Sequence, residues 1–336
     1  MSQPAPHEVV RDLPAGLVAR AVTVDDVEAL TALERAVDLA CTGTSASNPE
    51  EMADWLGEPS VQWGAGAAVV ERASDVVASL VTVDEVPSGR GWSFDTYTRP
   101  GDPDGRAIVF ALTRAGLELG QRRWAGPAQA GEVDPAGLEA TAACYEQETD
   151  LRAAFAALGF AEARRFWWMS IRHDRPAPPL DLPAGYSLRP VDVTDPAELH
   201  RMHDVGNTCF LDHYGFSPQP FEEWWEVRSS ETEDPTQWKF VERDGQVAAY
   251  VRGSNRFASE GLGHVDSLGV LREHRGRGIA GALLRAHFAD DIERGRSGTR
   301  LHVDSTSPTG ATHVYERAGM RVEQEYISHT RPLLDT

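Results

Sequence analysis

The sequence predicts two copies of one mixed α/β fold, and three repeated stretches carry that prediction. The pentapeptide DLPAG occurs at 12–16 and again at 181–185. Behind it, Gly16 and Gly185, Arg20 and Arg189, and Leu30 and Leu199 each stand 169 positions apart. A second echo sets VVERASDVVASLVTV against FVERDGQVAAYVRGS, and a third sets Phe155-Ala-Ala-Leu-Gly159-Phe160 against Tyr315-Glu-Arg-Ala-Gly319-Met320. Three echoes in one order, at nearly one offset, mean that the same plan is built twice.

Each element of that plan has a local cause. After each pentapeptide a short apolar stretch ends at an arginine, Arg20 or Arg189, and reads as a strand. An Asp-rich turn follows, able to cap a helix whose apolar residues recur at helical spacing. The second echo is a hairpin in each half, turning at Ser74-Asp75 and at Asp244-Gly245. Next comes an alternating strand, then a Gly-bearing loop and a helix, and each half closes on a terminal strand (ARRFWWMSI; EQEYISHTR). Between the halves, Pro176, Pro178 and Pro179 favour an extended linker. The expected domains are therefore 1–175 and 176–336.

Composition limits the function. No apolar run of about 18 residues suggests a membrane span, and the first residues lack the apolar core of a signal peptide, so a cytoplasmic protein is expected. Cys41, Cys144 and Cys209 form no C-x-x-C pair, which argues against a zinc site and predicts no metal. A formal net charge of −20 would repel nucleic acid and suits solubility or a cationic substrate.

The stretch richest in chemistry is GHVDSLGVLREHRGRGIAGALLRAHF. An alternating strand ends in Leu268-Gly269-Val270 and is followed by Arg272, Arg275, Gly276, Arg277 and Gly278; a helix then begins near Ile279 and Ala280. Glycines allow close backbone approach, the first helical N–H groups are unsatisfied, and the helix dipole adds positive charge, which together make a phosphate or pyrophosphate site. The spacing differs from G-x-G-x-x-G and from the Walker loop, so a dinucleotide or ATP is disfavoured.

Arg275-Gly-Arg-Gly-Ile-Ala280 fits [Q/R]-x-x-G-x-[G/A] and resembles the acyl-CoA loop of the GNAT superfamily of N-acetyltransferases. Downstream, Ala311-Thr-His-Val-Tyr315-Glu-Arg-Ala-Gly319-Met320 is similar to the family's A-x-x-[L/V]-Y-x-x-x-G-[F/M] stretch. The resemblance covers 185–332 well and 16–172 as a weaker copy. It implies two tandem GNAT domains, each a twisted mixed sheet flanked by helices and splayed between its fourth and fifth strands. It further implies acetyl-CoA as donor, held by Leu268, Gly269, Val270, Arg275, Gly276, Arg277, Gly278, Ile279 and Ala280, and a small-molecule amine as acceptor. Pro308 departs from the Asn that many members carry.

The same resemblance makes Tyr315 the general acid for the departing thiolate and gives the oxyanion to a backbone N–H around Leu268 or Gly269. The base stays open among three residues. His264 and Asp266 alternate with Leu268 on one strand, which would put their side chains on one face, and Glu242 lies on the preceding hairpin. The resemblance implies that some tandem members carry a Glu four positions before the Leu of Leu268-Gly-Val, where His264 stands here. Asp212 and Glu34 are expected partners of a cationic or polyhydroxylated acceptor, and Trp224 and Trp225 are expected to serve packing. In the first half Asp102, beside Asp104, takes the place of Arg275, and Phe155 takes that of Tyr315. Carboxylates repel a pyrophosphate and phenylalanine has no proton to give. The first half should therefore have lost the chemistry and supply structure and a wall of the substrate cleft. A monomer or homodimer fits, and a non-catalytic acyl-CoA sensor is the rival reading.

Overall fold

The computed structural model describes residues 4–43, 45, 47–57, 61, 63–84, 91–176, 179–211, 216, 218–228, 233–306 and 310–334. The chain forms two compact units, Met1–Arg165 with Glu325–Thr336, and Phe166–Gln324. Its elements are α1 (Pro6–Val9), β1 (Leu17–Ala21), α2 (Val27–Thr42), α3 (Pro49–Gly57), β2 (Ala67–Arg72), β3 (Asp75–Asp84), β4 (Gly91–Thr98), α4 (Gly105–Gln129), β5 (Glu139–Tyr145), α5 (Thr149–Ala157) and β6 (Ala161–Arg172). The second run is β7 (Tyr186–Pro190), α6 (Pro196–Phe210), α7 (Phe221–Arg228), β8 (Lys239–Arg243), β9 (Gln246–Ser254), β10 (Leu262–Val270), α8 (Ile279–Glu293), β11 (Gly298–Asp304), α9 (Ala311–Arg317) and β12 (Arg321–Pro332).

In the first unit the sheet order is β1-β2-β3-β4-β5-β12, antiparallel except for β4 beside β5. The second unit repeats it as β7-β8-β9-β10-β11-β6, antiparallel except for β10 beside β11. This differs from a cut at residue 175. Phe166 to Arg172 of β6 pair with β11 in the second unit, and Tyr326 to Pro332 of β12 pair with β5 in the first. Each half of the sequence thus ends in a strand that closes the sheet of the other half. A repeat period locates a strand along the chain but says nothing about which sheet it joins.

Local chemistry sets the ends of the elements. Thr23 and Asp26 form a capping box ahead of α2, with the Thr23 N–H donating to Asp26 Oδ2 at 2.8 Å. In the second unit Asp195 caps α6 by accepting from the Ala197 N–H at 2.9 Å. The first hairpin turns on Ala73 and Ser74, one residue earlier than expected, and both have positive φ. The second turns on Asp244 and Gly245, also with positive φ, as the right-handed twist of a tight hairpin requires. Helix α4 lies directly on β4: a Cβ at Gly116 would stand 2.7 Å from the Phe94 ring, and one at Gly120 would stand 2.5 Å from Trp92.

Both parallel pairs part early. In the second unit the register runs only from Leu262↔Gly298 to Val265↔Leu301, after which β10 continues to Val270 and β11 to Asp304 unpaired with each other. In the first unit β4 and β5 pair from Gly91↔Glu139 to Phe94↔Ala142 and then separate. This is the expected splay, and it positions the candidate site. No helix among the described residues is long and apolar enough to cross a membrane.

Candidate active site

A cavity of about 750 Å³ opens in the second unit where β10 leaves β11, bounded by the start of α8 and by α9. Every residue expected to hold the donor lines it: Leu268, Gly269 and Val270 of β10, Arg275, Gly276, Arg277 and Gly278 of the loop, and Ile279 and Ala280 of α8. The loop turns back because Gly276 and Gly278 adopt φ of 73° and 85°, which side chains rarely tolerate. Gly278 is the N-cap of the 15-residue α8 and no side chain caps it. The first N–H groups of α8 therefore stay open to the cavity under a positive dipole end.

The arginines of the loop divide their work. Arg275 turns inward, its Nε donating to the Val270 carbonyl at 3.0 Å and its Nη2 to the Cys209 carbonyl at 3.2 Å, so it braces the loop against β10 and α6. Arg272 and Arg277 are exposed. Gly269 lets α6 pack close, since a Cβ there would meet the Cys209 Cβ at 2.8 Å.

Tyr315 lines the same cavity from α9, packed with Val314, Ala311 and Ala318. Among the described residues its hydroxyl has no hydrogen-bond partner, and burial pushes the phenol up to about 12. It therefore stays protonated at neutral pH and keeps a proton to give.

The three candidate bases are not brought together. The β9–β10 register slips between Val265 and Ser267, leaving Asp266 as the unpaired residue of a bulge. The bulge breaks strict alternation, so Leu268 falls on the face opposite His264 and not on the shared face that alternation predicts. The bulge also lies ahead of Leu268 and Gly269, the residues whose backbone N–H groups were expected to meet the oxyanion. Asp266 lines the cavity, and Arg252 Nη2 donates to its Oδ2 at 2.7 Å. Burial alone would raise this carboxyl, but the charges of Arg252 and Arg228 outweigh it and hold it below the usual range. Arg252 is itself buried between Trp224 and Trp238, 5.5 and 5.7 Å from the ring centres.

His264 does not line the cavity. It is 5% exposed, its Nδ1 lies 2.9 Å from the Ser254 hydroxyl, and burial takes its pKa down to about 3. An imidazole locked in that way does not serve as the base. Glu242 is also absent from the cavity lining, because Arg189 holds it at 2.9 and 2.7 Å. Glu34 belongs to the first unit, where it accepts from Tyr97, and burial next to Asp38 pushes it up to about 7. Asp212 and Pro308 lie outside the described residues. Trp224 is buried against Phe221 and Trp238, the packing role expected of it, and Trp225 packs partly buried beside it.

Among the cavity residues that the sequence did not single out are His302 and Asp304 of β11. Alternation with Leu301 and Val303 in TRLHVD was the available signal for a polar face. Burial and the nearby Arg256 take His302 down to about 4, so it is neutral. Its ring stacks on Phe166 at 5.2 Å.

The matching positions of the first unit are occupied differently. Arg72, at the end of β2, binds both Asp102 and Asp104, at 2.9 and 2.7 Å, which ties the loop to that strand. Phe155 is 1% exposed and packs against Phe160 and His329 at 5.5 and 4.9 Å, within the hydrophobic core. Pro103, Arg106, Ala107 and Phe110 instead line a smaller cavity of about 520 Å³ that includes no residue of β4 or β5.

Comparison with known proteins agrees with this geometry. Residues 199–320 match the acetyltransferase (GNAT) family. The chain is 28% identical over 230 residues to the mycothiol acetyltransferase of Thermobispora bispora, covering 66% of this chain and 74% of that protein. A GCN5-related N-acetyltransferase from Sphaerobacter thermophilus superposes with a TM-score of 0.82 at 26% identity, over 96% of this chain and 98% of that one. A tandem GNAT protein from the clavulanic acid biosynthesis pathway shares the fold, with a TM-score of 0.68 at 18% identity over 95% and 99% of the two chains. The match at 199–320 thus marks an acetyltransferase (GNAT) domain, and the whole chain has the fold of a tandem GNAT protein.

Proposed function

We propose that the second unit transfers an acetyl group from acetyl-CoA to a primary amine of a small molecule in the cytoplasm, and that the first unit carries no transfer chemistry. The observation that carries this is one cavity with two poles, the uncapped start of α8 at one end and the unpartnered Tyr315 hydroxyl within it. The α8 N–H groups and the turn at Gly276 and Gly278 suit the donor's pyrophosphate, with Arg277 at the rim. Past Val265 the β10 N–H groups that faced β11 have no strand to pair with, which suits both the donor's amide arm and the developing oxyanion. Tyr315 protonates the thiolate as the C–S bond breaks.

A second reading makes the acceptor polyhydroxylated, as in mycothiol synthase proper, and the sequence similarity to a mycothiol acetyltransferase supports it. His264 in place of the Glu of those enzymes weighs against it. A sensor that only binds acyl-CoA has no use for an unpartnered phenol in the cavity. No nucleic acid partner is proposed for a chain of net charge −20. The test is thiol release from acetyl-CoA with a panel of sugar amines, amino-acid amides and polyamines. Amine-dependent release is expected. Tight acetyl-CoA binding with no release for any amine would favour the sensor.

A further inference from the structure

Glu233 lies just ahead of β8 and makes a single antiparallel bridge with Ser254, at the end of β9. Partners across strands present their side chains to one face. Ser254 pairs in turn with His264, so Glu233, Ser254 and His264 form a row across the sheet. Arg252 stands two residues back along β9, on that same face, and reaches Asp266 in the cavity wall. Arg228 of α7 donates to Glu233 Oε1 at 3.2 Å, and the Glu233 side chain is 7% exposed.

Glu233 Oε2 is buried with no hydrogen-bond partner among the described residues, and so is Arg252 Nη1. Buried polar atoms are nearly always paired, and an ion cluster serving only stability would close such contacts. Here one carboxylate, Asp266, is satisfied and faces the cavity, while the other keeps an open oxygen behind it. The groups that face Glu233 are Arg228, Arg252, Asp266 and Ser254. Burial, then the Asp266 charge, pushes Glu233 up to about 7, while Asp266 is held low. Paired carboxyls driven apart in this way suit acid–base work at neutral pH.

We infer that Asp266 holds the acceptor amine as its ammonium form at the cavity wall and that the proton this amine releases passes through Asp266 to Glu233, which stands behind it and outside the cavity lining. The inference rests on the acyl-transfer reading above. One ammonium N–H bond breaks toward the Asp266 carboxylate, which passes the proton on to Glu233 Oε2, and a neutral amine is left. Its lone pair forms the C–N bond to the acetyl carbon as the C–S bond breaks, and Tyr315 gives its proton to the thiolate. The second amine proton, lost as the amide forms, restores the phenol through solvent, and Glu233 returns its own proton to solvent.

The test uses the full chain carrying glutamate labelled with ¹³C at the carboxyl. A carboxyl resonance titrating near pH 7 should vanish in Glu233→Gln, while those of Glu34 and Glu148, which also titrate near 7, remain. With the best acceptor of the amine panel, kcat/KM should show an acid limb near pH 7. Glu233→Gln should lower it by about 100-fold and remove the limb, and Glu233→Asp should keep a displaced limb. Turnover with the same acid limb in Glu233→Gln, or no resonance near pH 7 lost in that variant, overturns the inference alone. A chain that binds acetyl-CoA but acylates no amine overturns the acyl-transfer reading and the inference with it.

Discussion

Arg189 grips Glu242 across β7 and β8 through two hydrogen bonds, from Nε at 2.9 Å and from Nη2 at 2.7 Å, and holds Glu198 of α6 through two more, from Nη1 at 2.5 Å and from Nη2 at 3.1 Å. The first unit repeats the grip: Arg20 Nε donates to Glu71 at 2.9 Å and Nη2 to Asp26 at 2.6 Å. Each arginine therefore ties the first strand of its unit to the hairpin and to the turn or helix that follows. This is why the four residues recur at matching places in the sequence. It also removes Glu242 from proton transfer.

Glu242→Gln should then act on stability. Loss of one charge-assisted partner, with Arg189 left half-paired, should cost about 1–3 kcal/mol. Thermal unfolding would show it as a lower Tm, with kcat/KM per folded molecule unchanged. A drop in kcat/KM at unchanged Tm would return Glu242 to the chemistry.

Much of this was legible in the sequence because it depends on local pattern. The loop from Arg275 to Ala280 and the position of Tyr315 need only strand, glycine and helix signals in order, and all of them line one cavity. The proton acceptor behind Asp266 was not legible, for two physical reasons. A bulge at Asp266 changes which side chains share a face, and no period in the sequence announces a bulge. Glu233 enters the sheet by a single bridge from a loop, so it carries no alternation of its own. Pairing of β6 with β11 was hidden as well, since strand partners far apart in sequence leave no local trace.

Tyr315→Phe removes a proton donor while keeping the ring that packs with Val314 and Ala318. Turnover should fall about 100-fold, and acetyl-CoA affinity by calorimetry should be unchanged. Because burial holds the phenol near 12, no loss of activity from its ionisation should appear below about pH 10. Wild-type turnover in the variant would remove the acid assignment.

The first unit predicts a pH effect on stability. Burial, reinforced by Asp38, raises Glu34 from 4.5 to about 7, and burial does the same for Glu148 against the Tyr145 N–H bond that opposes it. Folded protein then binds these protons more tightly than unfolded chain between pH 4.5 and 7. Stability should therefore fall as pH rises through that window and stay lower above it. Glu34→Gln or Glu148→Gln should flatten this slope and raise stability at pH 8, by up to about 3 kcal/mol each. Denaturant titrations at pH 5.5 and 8 measure it, and equal slopes in variant and wild type would contradict the shifted carboxyls.

A fragment covering residues 176–336 contains the whole acyl-CoA motif, yet it lacks the strand that covers β11. Phe166 to Arg172 supply that strand, and Met169, fully buried, packs with Trp167 and Ile171 into the core beside Leu301 and Val303. Losing Met169 alone resembles a large-to-small core change of about 2–5 kcal/mol, and the bare edge of β11 invites association between chains. The fragment should therefore show no cooperative melt and should bind a hydrophobic dye. A fragment that starts at residue 161 should recover both helical signal and a melting transition. Equal Tm for the two fragments would mean that β6 contributes nothing to the second unit.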